Sequence, residues 1–412
     1  MKAFALESLP SCTILKFGGS SVGSHVRIQA VAQIIRRHFE ASNRRLVVVV
    51  SAMGDTTDDL IELAQRVSPN ASTLGYRREM DMLLSTGERV SMALLSMALA
   101  DLGLQAVSFT GSQSGIITTS AHGEARISEI RPIRLLETLE KKKIAIVAGF
   151  QGVSPEKEIT TLGRGGSDTS AVALGAALHA DAVHIYTDVD GVYTADPRKV
   201  PGARRIPRLS WEQAYLAASR GAQVLHARCL EVAQKHRIPV QVLSSFIDNP
   251  VGTWIDAGEE RTRMNNNLED PKILTLSFQK GLVRARATSD ALAAAVLQAT
   301  LQERRLKYLG FKFSADAVEL LVESTRWSDF ASLLPSAEVQ QDVARLSIMG
   351  TGLTVASALH ETLTQQIKSL ELKILSIDVS ESCVEILAPL QQGLDALTRA
   401  LHARFLEDAT KN

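Results

Sequence analysis

The chain reads as an α/β protein: a mainly parallel central sheet with helices on both faces, followed by two smaller α+β units of βαββ type. Three observations carry this reading. Apolar runs of strand character at 14–17, 46–50, 144–148, 182–186 and 238–243 alternate with helical patterns. The run 46–50 is unbroken aliphatic, the mark of a strand covered on both faces. Several of these runs exit into polar, glycine-containing loops, the place where open α/β sheets bind ligands.

Taken in order, strand 14–17 carries Lys16 and runs into Gly18 and Gly19. Residues 24–39 predict a helix, with Ile28, Val31, Ile35 and Phe39 on one stripe. Strand 46–50 ends in SAMGDTTD, which leads into a helix over 58–67. One long helix opens at Arg78 and runs on toward Leu102, with Glu88 among Leu84, Val90, Met92 and Leu95. A further strand precedes Phe109, the pair His122-Gly123 falls in a loop, and a helix is expected over 129–142. The stretch LGRGGSD introduces a small-residue helix over 168–179, with Asp168 or Ser167 as its N-cap. A helix over 210–218 and a closing strand near 252–255 complete a domain over 12–255.

Residues 256–271 are polar and poorly periodic, a linker pattern. Strands at 273–278 and 312–323 then flank a helix at 290–304. A looser copy follows: strand 344–349, helix 355–366, strands 372–377 and 383–387, and helix 394–405. These form two units, 272–340 and 341–408, related as a weak internal repeat.

Composition excludes several classes. Over 412 residues, 45 basic side chains balance 45 acidic ones, so no bulk field points to nucleic acid or an anionic membrane. Cys12, Cys229 and Cys383 lie far apart and form no zinc or disulfide pattern, which reads as reduced thiols. The stretch 80–102 is interrupted by Glu88 and Arg89, which argues against a membrane span. The opening MKAFALESLPSC has Glu7 inside its apolar run and no signal-peptide pattern. A cytoplasmic soluble protein is expected.

Chemistry concentrates at the strand exits. A strand lysine beside bare glycine amides, Lys16 with Gly18 and Gly19, can hold a phosphoryl group as a point charge, although no Walker A motif is present. Gly165 and Gly166 leave the backbone open beside Arg164 and Asp168, at the positive end of the helix that follows. A buried Glu88 is an expensive placement for a charge without a task.

The ordered set KFGGSSVG, SAMGDTTD, the segment from Arg78 to Arg89, GRGGSD, TDVDGVY and ADPR resembles the aspartate kinase branch of the amino-acid kinase family. The resemblance covers nearly all of 12–255. It implies that family's three-layer fold and transfer of the γ-phosphoryl of MgATP to the β-carboxylate of L-aspartate. By the same resemblance Lys16, Gly18 and Gly19 take the phosphates and Asp168 orients Lys16. Arg164 takes the substrate α-carboxylate and Glu88 its amine, with Ser51, Thr57, Gly165, Gly166 and Ser167 lining that side. Thr187, Asp188, Tyr193 and Arg198 face the nucleotide. His122 is a loop histidine and no base, because a carboxylate nucleophile needs no proton removed. The sequence marks no protein ligands for Mg²⁺.

The C-terminal units resemble paired ACT domains, which implies a homodimer, with an eroded effector loop at 279–286 and hence weak feedback control. One departure stands inside the first domain: Gln223 occupies the position of the family's second phosphate-binding lysine, with Arg220 and Arg228 the nearest cations in sequence. Two other functions remain open, a kinase for another amino-acid carboxylate and a weakly catalytic paralogue serving as a regulatory subunit.

Overall fold

The computed structural model describes residues 11–41, 45–71, 74–222, 224–258, 271–304, 306–314, 316–390 and 393–407. Two compact units emerge. The first takes in 1–192, 205–218 and 223–262; the second takes in 193–204, 219–222 and 263–412.

The first unit is built on an eight-stranded sheet. In chain order its strands are β1 (Cys12–Phe17), β2 (Arg45–Val50), β3 (Ala106–Phe109), β6 (Ile144–Ala148), β9 (Ala182–Thr187), β10 (Arg208–Ser210), β11 (Val240–Ser244) and β12 (Thr253–Asp256). Their spatial order is β10-β12-β11-β9-β1-β2-β6-β3, and every neighbouring pair is parallel except β11 with β12. The expected mainly parallel sheet is present. Because β1 is central and flanked by β2 and β9, the chain turns opposite ways on leaving its two neighbours. The carboxyl ends of these strands are therefore the natural ligand edge.

Period-two alternation divides β1 between two layers. Leu15 and Phe17 join the core beneath α1 (His25–Ala41) and α4 (Thr86–Asp101), with Ile28, Val31, Ile35, Leu95 and Leu99. Ile14 and Lys16 point to the opposite face, where α6 (Gly166–Ala177) lies. Gly175 allows that close approach: a Cβ there would stand 2.7 Å from Val183 Cγ2.

Two helices differ from expectation. The predicted long helix from Arg78 is two, α3 (Arg77–Leu84) and α4, broken at Ser85. There the carbonyl of Ser85 accepts from Gln151 Nε2 at 2.8 Å, and Gly87 lies so close to Ala52 that a Cβ would come within 2.7 Å. Tertiary contacts win over a helix-compatible sequence. The predicted helix at 129–142 begins later, as α5 (Ile133–Glu140), because Pro132 precedes it and 127–130 alternates as β5 (Ile127–Ile130). Strand β5 belongs to a small second sheet of order β5-β4-β7-β8, with β4 (Ile116–Thr118), β7 (Gln151–Val153) and β8 (Ile159–Thr161). That sheet has no counterpart in the sequence reading, since its strands are only three or four residues long.

The second unit holds one antiparallel sheet, in the order β14-β15-β13-β16-β18-β17. Its strands are β13 (Lys272–Thr288), β14 (Gly310–Ser314), β15 (Ala317–Glu323), β16 (Glu338–Thr351), β17 (Ser376–Val379) and β18 (Cys383–Pro389). The two repeats do not lie end to end. The first half of β13 and the second half of β16 share a core with β18, α11 (Ser357–Ser369) and α12 (Gly393–His402), including Leu276, Ile348, Leu359, Val384 and Leu397. The second half of β13 packs with β15 and α9 (Ala291–Glu303) around Val283, Leu301, Val318 and Phe330. Long shared strands thus interleave the repeats, and the predicted 340/341 boundary falls within β16. Most of the expected linker lies outside the described residues.

The segment 193–204 belongs to this second unit. Thr275 Oγ1 donates to Tyr193 O at 2.9 Å, Leu276 N to Thr194 O at 2.9 Å, and Thr194 Oγ1 meets buried His402 Nε2 at 2.8 Å.

Candidate active site

Lys16 is the last polar group of β1 before the glycine turn, and its side chain is almost fully buried. Its Nζ lies 2.6 Å from Asp168 Oδ1. The helix α6 starts two residues earlier than predicted. Gly165 is its N-cap, with φ +71°, and neither Asp168 nor Ser167 caps it. The N-cap assignment therefore needs correction: the Asp168 carboxylate is committed to Lys16 from within the first turn. Only glycine suits position 165, since a Cβ would stand 2.3 Å from His226 Cβ as well as adopting a left-handed backbone. Gly166 is equally crowded, with Leu162 and Phe150 both 2.9 Å from an added Cβ. Ser167 is buried against Gly149.

The turn after β1 requires a second correction. The amide of Gly18 donates to Tyr186 O at 3.1 Å, so it is not available to a phosphate. Among the described residues Gly19 N–H and Ser20 N–H have no backbone acceptor, which makes Ser20 a donor that sequence reasoning missed. Gly18 still serves by its size, because its missing side chain faces Lys16 Nζ, 3.5 Å from an added Cβ.

Glu88 sits in the first turn of α4 and is 2% exposed. Its Oε1 accepts from Ala52 N at 3.2 Å, while Oε2 is buried with no hydrogen-bond partner. Burial pushes its carboxyl up to about 7, against the lowering effect of backbone hydrogen bonds. An orphaned, buried carboxylate oxygen suits a cation brought by a ligand. Ser51 and Thr57 are half-buried; Ser51 follows β2 directly, and Thr57 lies in the first turn of α2 (Thr56–Val67). Arg164 is exposed and makes no ion pair among the described residues.

On strand β9, Thr187 Oγ1 donates to Asp188 Oδ1 at 3.0 Å, and Asp188 is exposed. Tyr193 and Arg198 belong to the second unit. There Arg198 pairs with Asp196 through Nε and Nη2, both at 3.0 Å. Gln223 lies outside the described residues. Neither cation considered as its substitute is available. Arg220 Nε is 3.4 Å from Glu385, and Arg228 donates to Leu162 O and Ala125 O, both at 2.7 Å. His122 is a loop residue, as expected, with Nδ1 2.7 Å from Asp81 Oδ2.

A buried lysine paired to a carboxylate, free amides after a glycine turn, and a helix N-terminus at the carboxyl edge of a parallel sheet define a site for phosphoryl transfer. A family model, "Amino acid kinase family", matches residues 11–244. An aspartokinase of Mycolicibacterium smegmatis is 40% identical over 411 residues, with 95% of each chain covered. One from Corynebacterium glutamicum is 39% identical over 412 residues, again with 95% of each covered. The fold matches that of E. coli aspartokinase III, solved with aspartate and ADP, with a TM-score of 0.79 at 24% identity, covering 95% of this chain and 99% of that one. The chain belongs to the amino acid kinase family, in its aspartokinase branch.

The buried charge of Glu88 makes a stability prediction. A carboxyl whose folded value is raised costs nothing below its unfolded value. The cost builds between about 4.5 and 7 and is complete above that, at roughly 3 kcal/mol. Glu88→Gln keeps the acceptor for Ala52 and removes the charge. It should raise the melting temperature of the substrate-free protein at pH 8 and change it little near pH 5. Thermal unfolding at the two pH values checks this.

Proposed function

We propose that the first unit phosphorylates the β-carboxylate of L-aspartate from MgATP, using the site around Lys16, Asp168, Glu88 and Arg164. The observation that carries the reading is the pairing of two buried groups of opposite need. Lys16 is held by Asp168, and Glu88 has an oxygen awaiting a cation. The substrate brings that cation as its ammonium, and Arg164 supplies a planar two-donor partner for its α-carboxylate. Ser51, Thr57 and the amino end of α6, from Gly165 to Ser167, line the same side.

A β-carboxylate oxygen then attacks the γ-phosphorus, and the bond to the β,γ-bridging oxygen breaks to release ADP. The nucleophile is already an anion, so no base is required and the enzyme's work is alignment and charge neutralisation. Lys16 neutralises charge on the transferring group, and the amides of Gly19 and Ser20 are suited to its oxygens. Asp168 holds Lys16 in place. Thr187 and Asp188, at the end of β9, are read as the nucleotide side. Mg²⁺ would neutralise the triphosphate. The second unit is read as a dimerising element in the cytoplasm.

A hydroxamate assay offering aspartate and then glutamate tests the substrate. Lys16→Ala should reduce kcat by about 10²–10³ with the fold retained, as for loss of one preorganised charge. A variant that keeps most of its kcat removes Lys16 from the mechanism.

Arg220 and Arg228, the cations nearest to Gln223 in sequence, both have other partners. If no other cation fills that place, Gln223→Lys should raise kcat, with a ceiling of about 10²–10³. A level or lower kcat in steady-state assays would show that the site does not lack charge there.

Strand β13 runs through 279–286 with register shifts between Gln279 and Leu282 and between Leu282 and Arg284. No glycine-rich loop interrupts it to receive an effector. Lysine and threonine, singly or together, should change the initial rate little, which dose–response curves will show.

A further inference from the structure

Asp81 is a fully buried carboxylate on α3, outside every role assigned above. Among the described residues it has no lysine or arginine partner and instead accepts from three sources. Gly123 N reaches both oxygens at 3.0 and 3.1 Å, Thr161 Oγ1 donates to Oδ1 at 2.5 Å, and His122 Nδ1 meets Oδ2 at 2.7 Å. Those donors sit on two segments that must stay together. Thr161 ends β8, three residues before Arg164, and Gly123 packs on Gly163: a Cβ at Gly163 would stand 3.0 Å from Gly123 O. The same two segments are joined again by Ala125 N to Thr161 O at 2.9 Å, and by the Arg228 guanidinium bridging Leu162 O and Ala125 O.

We propose that Asp81 is a positioning residue, gathering His122, Gly123 and Thr161 so that the turn carrying Arg164 is held at the place where it grips a substrate carboxylate. A charged acceptor suits the task, because hydrogen bonds to a buried carboxylate are stronger than those to a neutral amide. Arg164 itself is exposed, so its own side chain does little to fix the turn. Asp81 touches neither substrate nor reacting atoms and acts only through that backbone. The assignment rests on the reading of Arg164 as the aspartate clamp.

Three variants of the full chain test it: Asp81→Asn, Thr161→Val and Arg164→Lys, each assayed for kcat, both KM values and melting temperature. Asn keeps the shape of Asp81 but cannot accept on both arms, and Val keeps the shape of Thr161 without the hydroxyl. Asp81→Asn should raise the KM for aspartate about tenfold, with kcat and the KM for ATP within about threefold, since a small displacement of a positioning group acts on one substrate. Thr161→Val should do the same more weakly, and it reports even if Asp81→Asn fails to fold. A lowered melting temperature with an unchanged KM for aspartate in Asp81→Asn, or in Thr161→Val where the former does not fold, would overturn the proposal and leave a purely structural role. If Arg164→Lys also left that KM unchanged, the clamp reading itself would fail. If Arg164→Lys raised it and the other two did not, only the inference about Asp81 would fall.

Discussion

The site depends on one buried ion pair, Lys16 with Asp168. Removing two charges from water is costly, and a buried pair is weak evidence for stability. What the pair secures is geometry. The lysine arrives on the central strand of a parallel sheet and the aspartate on the first turn of the helix packed over it. Alternation along β1 fixes which face Lys16 takes, and Gly175 lets α6 settle close enough for the aspartate to meet it. A displacement of either layer would leave an uncompensated buried charge. Sheet, helix and phosphate-side cation are therefore one mechanical object.

Glu88 is the counterpart without a partner. Gly87 lets the first turn of α4 rest on Ala52, whose amide donates to Glu88. A continuous helix would carry residue 88 elsewhere. A buried carboxylate oxygen without a partner is a cost within the fold, and local destabilisation is a normal property of sites preorganised for charge.

Much of this was legible in the chain. Continuous aliphatic runs marked the strands, and glycines beside Lys16, Arg164 and Asp168 marked the ligand edge, because those residue types have few bland uses together. Three kinds of fact were hidden. Backbone donors compete for acceptors in space, so nothing in the string says that Gly18 N is taken by Tyr186 and Ser20 N is not. Helix propensity cannot see Gln151 binding the carbonyl of Ser85. Asp81 lies inside the segment from Arg78 to Arg89, but the string does not show its donors, which stand 41 to 80 residues away along the chain.

The C-terminal half shows the same limit at the level of architecture. A repeat in sequence suggests two units in tandem, each closed on itself. A βαββ unit with an open edge must cover it, and long antiparallel strands do so by serving both repeats at once. Strands β13 and β16, of 17 and 14 residues, are roughly two and a half to three times the usual length for that reason. The same logic explains why 193–204 leaves the catalytic stretch. Ala195 and Val200 are apolar residues whose cover is the core around Leu276, Leu353 and Leu401, and backbone bonds to β13 complete the attachment. The stretch 193–204 is thus held by the sheet of the second unit, although first-unit stretches precede and follow it along the chain.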